Sequence, residues 1–285
     1  MALVSATIEP AAVEMARSTG GDGPAAGVLE GMLAGAQGFS VGKPAKLKES
    51  NPNTNEVALA AFVQGASPGE LSCDYEAISG ASPVSVNGQQ VATLFFRSES
   101  RRRYHLFAQL VANQDGAVLA QFERKAAAGL VQIGWGSDIT IAAPPGQPYA
   151  AMSSSPSGTF THTDGSGGLN FNKLGFCAQP ACKWCVISCL CCVPTLSIAT
   201  CIACTKMQSA PVLFNVSSSN GGEEQQIAFR EVNAFQTHGD FSFGSQLDGS
   251  GKIDLLLLVC ARVASGCCHP QTSNNDNDTD YSSVI

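Results

Sequence analysis

Cysteine is the residue type best placed to do chemistry in this chain. Twelve cysteines occur in 285 residues, eight of them between Cys177 and Cys204, with a further pair at Cys267 and Cys268. The first sixteen residues lack a basic start and carry Glu9 and Pro10 where a secretion signal is continuously apolar, so no export and no disulfide framework are expected. Thiols crowded in a reducing compartment point to lipidation or to metal. Residues 184–205 run for 22 positions without a charge, between Lys183 and Lys206, and admit four readings. The length matches a membrane-spanning helix, although Pro194 and the β-branched residues weaken that reading. Six cysteines within the stretch suit S-acylation, where two or more acyl chains anchor a protein stably. A third reading is an interior strand pair in which cysteine serves as a small hydrophobe. Finally, Cys182-x2-Cys185 and Cys201-x2-Cys204 have the spacing of a four-thiolate zinc site, but the surrounding cysteines make chance pairing easy and zinc is not expected.

Three other groups could carry chemistry. Asp248-Gly-Ser-Gly-Lys-Ile-Asp254 resembles the middle of a calcium loop, but Gln246 and Leu257 stand where the strongest ligands belong, so a tight Gly-rich turn is expected. Arg97, Arg101, Arg102 and Arg103 form the densest basic cluster, which is either a solvated hairpin end or a contact for anionic headgroups. His105, His162, His238 and His269 share no motif with a nucleophile, and no phosphate-cradling Gly loop is present, so no catalytic residue and no enzymatic activity are assigned.

The elements that must position these groups are mostly strands. Charged residues make up only 14% of the chain against 44% hydrophobic, so much of the surface is expected to lie against something apolar. A net charge of -7 excludes a general nucleic-acid binder. Residues 1–38, rich in Ala and Gly, read as a loosely ordered lead-in, with a helix-like piece at residues 11–17. From Phe39 onward, short β-favouring runs recur at residues 57–63, 75–78, 91–96, 104–111, 118–122, 130–135, 211–216 and 226–232. Asn87-Gly88 and Asp115-Gly116 supply hairpin turns, which makes the sheet an antiparallel meander closing as a barrel or sandwich. Residues 153–168 have the composition of a flexible surface loop. Residues 255–268 are largely apolar with helix-forming character, and the polar residues 269–285 form a disordered tail.

In order along the chain, several weak motifs resemble the phospholipid scramblase family. Tyr75-Glu76 and Ile78, Gly88-Gln-Gln-Val91 and Phe95-Phe96 match its first strand pair. Arg103-Tyr-His-Leu, Asn113-Gln-Asp-Gly116 and Phe122-Glu-Arg124 match the hairpin that follows, and Ile139-Thr-Ile-Ala-Ala-Pro-Pro-Gly146 its Pro-Pro-Gly turn. Val212 to Val216, Phe229-Arg230-Glu231, Ala234-Phe235, Asp240-Phe241, Leu247-Asp248 and Lys252 continue the order. The resemblance covers about residues 35–268. It implies a mainly β fold, a closed twelve-stranded antiparallel tubby-like barrel around a buried C-terminal hydrophobic helix. Residues 39–268 would be the barrel domain, with a cysteine-rich insertion at 177–206.

Two departures from the family pattern alter what the resemblance implies. The family's calcium segment falls on residues 237–248, where Thr237 and Gly239 replace two acids; Asp248 remains and Asp240 is an added neighbour, so any calcium dependence is weakened or absent. The family's first cysteine cluster is missing, which moves acylation to Cys182, Cys185, Cys189, Cys191 and Cys192. The implied function is to mediate or regulate phospholipid movement between bilayer leaflets from the cytoplasmic face of a plasma membrane or endomembrane. The competing reading is an acylated tubby-like adaptor that binds anionic lipids or protein partners without transport. Its protein contact would be a PDZ-type domain at the C-terminal Ser283-Val284-Ile285.

Overall fold

The computed structural model describes residues 24–46, 56–65, 77–99, 106–124, 138–153, 157–190, 202–203, 206, 210–231, 237–244 and 247–266. The expected helix-like piece at 11–17, the strand at 130–135, the basic residues Arg101, Arg102 and Arg103, the thiols Cys191 and Cys192, and the tail from 269 lie outside them.

The chain opens with helix α1 (Pro24–Leu33), strands β1 (Gly38–Val41) and β2 (Ala45–Lys46), and helix α2 (Glu56–Gly65). An antiparallel meander follows: β3 (Ala77–Val86), β4 (Gln89–Glu99), β5 (Leu106–Ala112), β6 (Val118–Arg124), β7 (Ile139–Ala142), β8 (Pro148–Met152), β9 (Gly158–His162) and β10 (Gly168–Lys173). Helix α3 (Pro180–Leu190) interrupts it before β11 (Val212–Ser218), β12 (Gln225–Glu231), β13 (Thr237–Ser242) and the long helix α4 (Gly249–Gly266). Each strand from β3 to β13 pairs with the next, and β1 pairs with both β13 and β3. The result is a nearly closed twelve-stranded antiparallel barrel, with the two-residue β2 added beside β3. Closure of this kind leaves little sheet edge to pair with another chain.

Side chains alternate across the wall as the pleat requires. On β4, Ala92, Leu94 and Phe96 face the interior, while Phe95 faces outward; on β5, Leu106, Ala108 and Leu110 face in, while Phe107 and Val111 face out. Across β11, β12, β13 and β1, the rings of Phe214, Phe229, Phe241 and Phe39 form an interior row with successive centroids 5.3, 5.1 and 5.1 Å apart. The same core takes in Leu29 and Leu33 of α1 and Leu255 through Ala261 of α4. A helix apolar on every side needs protein on every side. The charges of α4 sit near its ends: Asp254 and Lys252 at the first, Arg262 at the last, where its guanidinium lies 5.5 Å from the Phe214 ring centroid.

The tight turns follow the sequence. Asn87 and Gly88 both take positive φ, 50° and 79°, as a two-residue hairpin turn requires. Three expectations are corrected. Residues 57–63 are helix and not strand: Glu56 and the Ala-rich run favour helix, and Ala58 and Phe62, four apart, land together on the outer wall against Phe95 and Phe107. Residues 153–168 are mostly a hairpin and not a surface loop, because Phe160 points into the core between two outward threonines. Residues 24–33, within the expected lead-in, form α1, whose Leu29 and Leu33 are buried.

Candidate functional site

Two features of this barrel can carry function: a polar cavity at one end and a cysteine-bearing helix on the outside. The cavity is built where the β9–β10 hairpin, the β11–β12 turn and the start of α4 meet. Its volume is ≈ 730 Å3. Gly167 and Gly168 make the hairpin turn possible, since both need positive φ and a side chain on Gly168 would run into the Phe160 carbonyl. That turn holds His162 and Ser166, and β8 supplies Tyr149.

These groups converge on Asp254, which is only 4% exposed. Its Oδ1 accepts from the Tyr149 hydroxyl at 2.7 Å and lies 2.8 Å from His162 Nε2. With the carboxylate ionised, Nε2 must carry the proton. The other ring nitrogen, Nδ1, lies 2.9 Å from the Ser166 hydroxyl oxygen. Ser166 is held in turn by its backbone N–H, which donates to Asp164 Oδ1 at 2.8 Å. Burial pushes the Asp254 carboxyl above the ordinary carboxylate range, and the Tyr149 and His162 hydrogen bonds offset part of that shift.

Ser166, His162 and Asp254 are the residue types of an acyl-transfer relay, set here among acidic walls. Ser166 lies four residues from His162 within one turn, and the cavity walls carry Glu223, Glu224 and Asp248. Such walls oppose the negative charge that develops on a tetrahedral intermediate. Nothing in the local sequence announces Asp254 as the partner of His162, because 92 residues separate them. The one sequence signal available is an acid placed directly before the run Leu255 to Leu258.

Asp248, expected as a weakened calcium ligand, caps α4. Its Oδ1 accepts from the Gly251 N–H at 2.8 Å and the Ser250 hydroxyl at 3.0 Å, and these bonds hold its carboxyl below the usual range. Asp240, the other expected ligand, is exposed on β13. Among the described residues no three His, Cys, Asp or Glu side chains come together as a metal site. Arg97 falls on β4.

Helix α3 begins at Pro180, a residue suited to the first helical position. It is pinned to the wall by the buried side chain of Gln179, whose amide donates to the carbonyls of Leu174 and Leu213, at 2.8 and 3.0 Å, and accepts from the Leu213 N–H at 2.8 Å. Cys182 and Cys185 on this helix are half-buried and Cys177 just before it is exposed. Burial, and then the adjacent Cys177, raise the Cys182 thiol above its ordinary value, which lowers its thiolate fraction. Cys189 falls on the same helix. Val186 is 51% and Ile187 39% exposed. Among the described residues no helix is long and apolar enough to cross a membrane.

No protein-family model, no curated protein and no solved structure matches this chain.

Proposed function

We propose that this chain is a membrane-associated, scramblase-like protein that mediates or regulates phospholipid movement between leaflets, seated on the cytoplasmic face of a plasma membrane or endomembrane. The observation that carries this reading is the outer helix α3, where exposed Val186 and Ile187 stand beside Lys183, Cys182 and Cys185 on a scaffold pinned by Gln179. Apolar side chains exposed beside modifiable thiols favour attachment by burial plus acylation at Cys182, Cys185, Cys189, Cys191 and Cys192, because two acyl chains hold a protein where one does not. The nearly closed barrel and the burial of α4 are what a tubby-like fold around its C-terminal helix would give. The use of Asp248 as a helix cap favours weak or absent calcium dependence.

The shared core of α4 and the strands favours a second reading, an acylated adaptor that binds anionic lipid through Arg97, Arg101, Arg102 and Arg103, or a PDZ-type partner at its C-terminus, without transport. Buried side chains of α4 and of the strands belong to one core, which would leave a headgroup little room. Fractionation before and after hydroxylamine, which cleaves thioesters, tests the attachment: release into the soluble fraction is expected, and unchanged membrane retention defeats acylation. Reconstituted liposomes then separate the two readings. Lipid exchange supports the scramblase. Binding without exchange at any calcium level, lost when the arginines are neutralised, supports the adaptor.

A further inference from the structure

We propose that the polar cavity at the barrel end binds a small molecule through a primary ammonium group, with Asp254 as the anchoring carboxylate. Both hydrogen bonds to Asp254 are accepted by one oxygen, Oδ1, so Oδ2 has no partner among the described residues, and the residue lines the cavity. A buried carboxylate with one committed and one spare oxygen is arranged to receive a donor, since charge-assisted hydrogen bonds are the strong ones.

The walls define the ligand's chemistry. Four carboxylate residues line the cavity, Glu223, Glu224, Asp248 and Asp254, with no Lys or Arg among its lining residues. The occupant is therefore cationic. These acids are spread around a space of ≈ 730 Å3, and among the described residues no three come together as a metal site, so an organic cation fits better than a metal ion. Quaternary ammonium groups are recognised by aromatic faces. Apart from the His162 ring the lining has none: its other side chains are hydroxyls, amides, Leu169, Val216 and Leu247, beside several glycines. Hydrogen-bond acceptors without an aromatic cage select an ammonium that still carries N–H donors. Neither membrane attachment nor lipid transport is needed for this site, and its ligand could be a free amine or an amine-bearing headgroup.

Calorimetric titration of the full-length protein with ethanolamine, 1,4-diaminobutane and choline tests the proposal. Ethanolamine and the diamine are expected to bind, with choline weaker by about tenfold or more, as loss of a charge-assisted hydrogen bond implies. Asp254→Asn keeps the shape and removes the charge; binding of ethanolamine should fall by about tenfold. Should that variant fail to fold, Glu223→Gln on the exposed turn serves instead, with a loss of about twofold that salt abolishes in the wild type. Vesicles of phosphatidylcholine with and without phosphatidylethanolamine distinguish the sources: a preference for the amine lipid that free ethanolamine competes away assigns the headgroup, and binding of free amine alone assigns a soluble ligand. Equal binding of choline and ethanolamine, no heat from any amine, or undiminished binding by a folded Asp254→Asn protein would overturn it.

Discussion

The walls on the two sides of this barrel are built from the same antiparallel meander and yet behave differently. Strands β3 to β5 are buried on both faces, with core side chains within and helix α2 outside, where the Phe62 ring lies 5.0 Å from that of Phe95. Strands β9 and β10 turn exposed side chains outward and β11 has only α3 beside it, while the β9–β10 and β11–β12 turns are rich in Gly, Ser and Asn. Every residue of β5 is buried, whereas β9 and β10 alternate in and out. A doubly covered wall has no surface left for a ligand, so it serves as scaffold. The half-covered wall keeps polar turns at the barrel end and gives α3 its place of departure.

Substitutions in the two walls should therefore separate by size. The largest effect is expected from Phe62→Ala, which empties the outer patch: a loss of about 3–5 kcal/mol in denaturant unfolding. A loss below about 1 kcal/mol would mean that α2 contributes little to the scaffold. On the other wall, Gly168→Ala should cost about 1–3 kcal/mol through the backbone conformation it must hold, and should displace His162 and Ser166 with it. A shifted histidine resonance by NMR would report that displacement.

Next in size is Asp248→Ala, expected to cost about 1 kcal/mol as a lost helix cap. Because its carboxyl is held below the usual value, its contribution is present above about pH 4 and disappears as pH falls through the lowered folded value. Asp254, six residues on, has the opposite sign. Its carboxyl is raised by burial, so its contribution is complete below about pH 4 and is lost as pH rises through the raised folded value. Asp254→Asn should therefore gain stability relative to wild type as pH increases towards neutral. A difference between the two proteins that does not change with pH would refute the buried, ionisable reading. The smallest effect belongs to Glu223→Gln in the exposed turn, within about 0.5 kcal/mol by thermal unfolding, since it packs against nothing in the core.

Much of this architecture can be read from local pattern, because the signals involved are local. The β-favouring runs at residues 91–96 and 118–122, the Asn87-Gly88 turn and the apolar run from Leu255 all appear where the residues place them. Residues 57–63 mislead because an outer-wall helix and a strand can share an apolar composition, and only the i, i+4 spacing of Ala58 and Phe62 separates them. Residues 153–168 mislead because a hairpin rich in Ser, Gly and Thr shows little hydrophobicity beyond Phe160.

By itself, then, the chain's pattern determined a strand-rich meander, its Asn87-Gly88 and Asp115-Gly116 turns, an apolar C-terminal helix and a cysteine-dense stretch. Tertiary structure decided which of these meet. Closure through β1, the covering of β3 to β5 by α2, and the joining of Tyr149, His162 and Ser166 to Asp254 depend on residues distant in sequence. Local propensity says nothing about such pairs, since they come together only when the barrel is assembled and the buried carboxylate gains its partners.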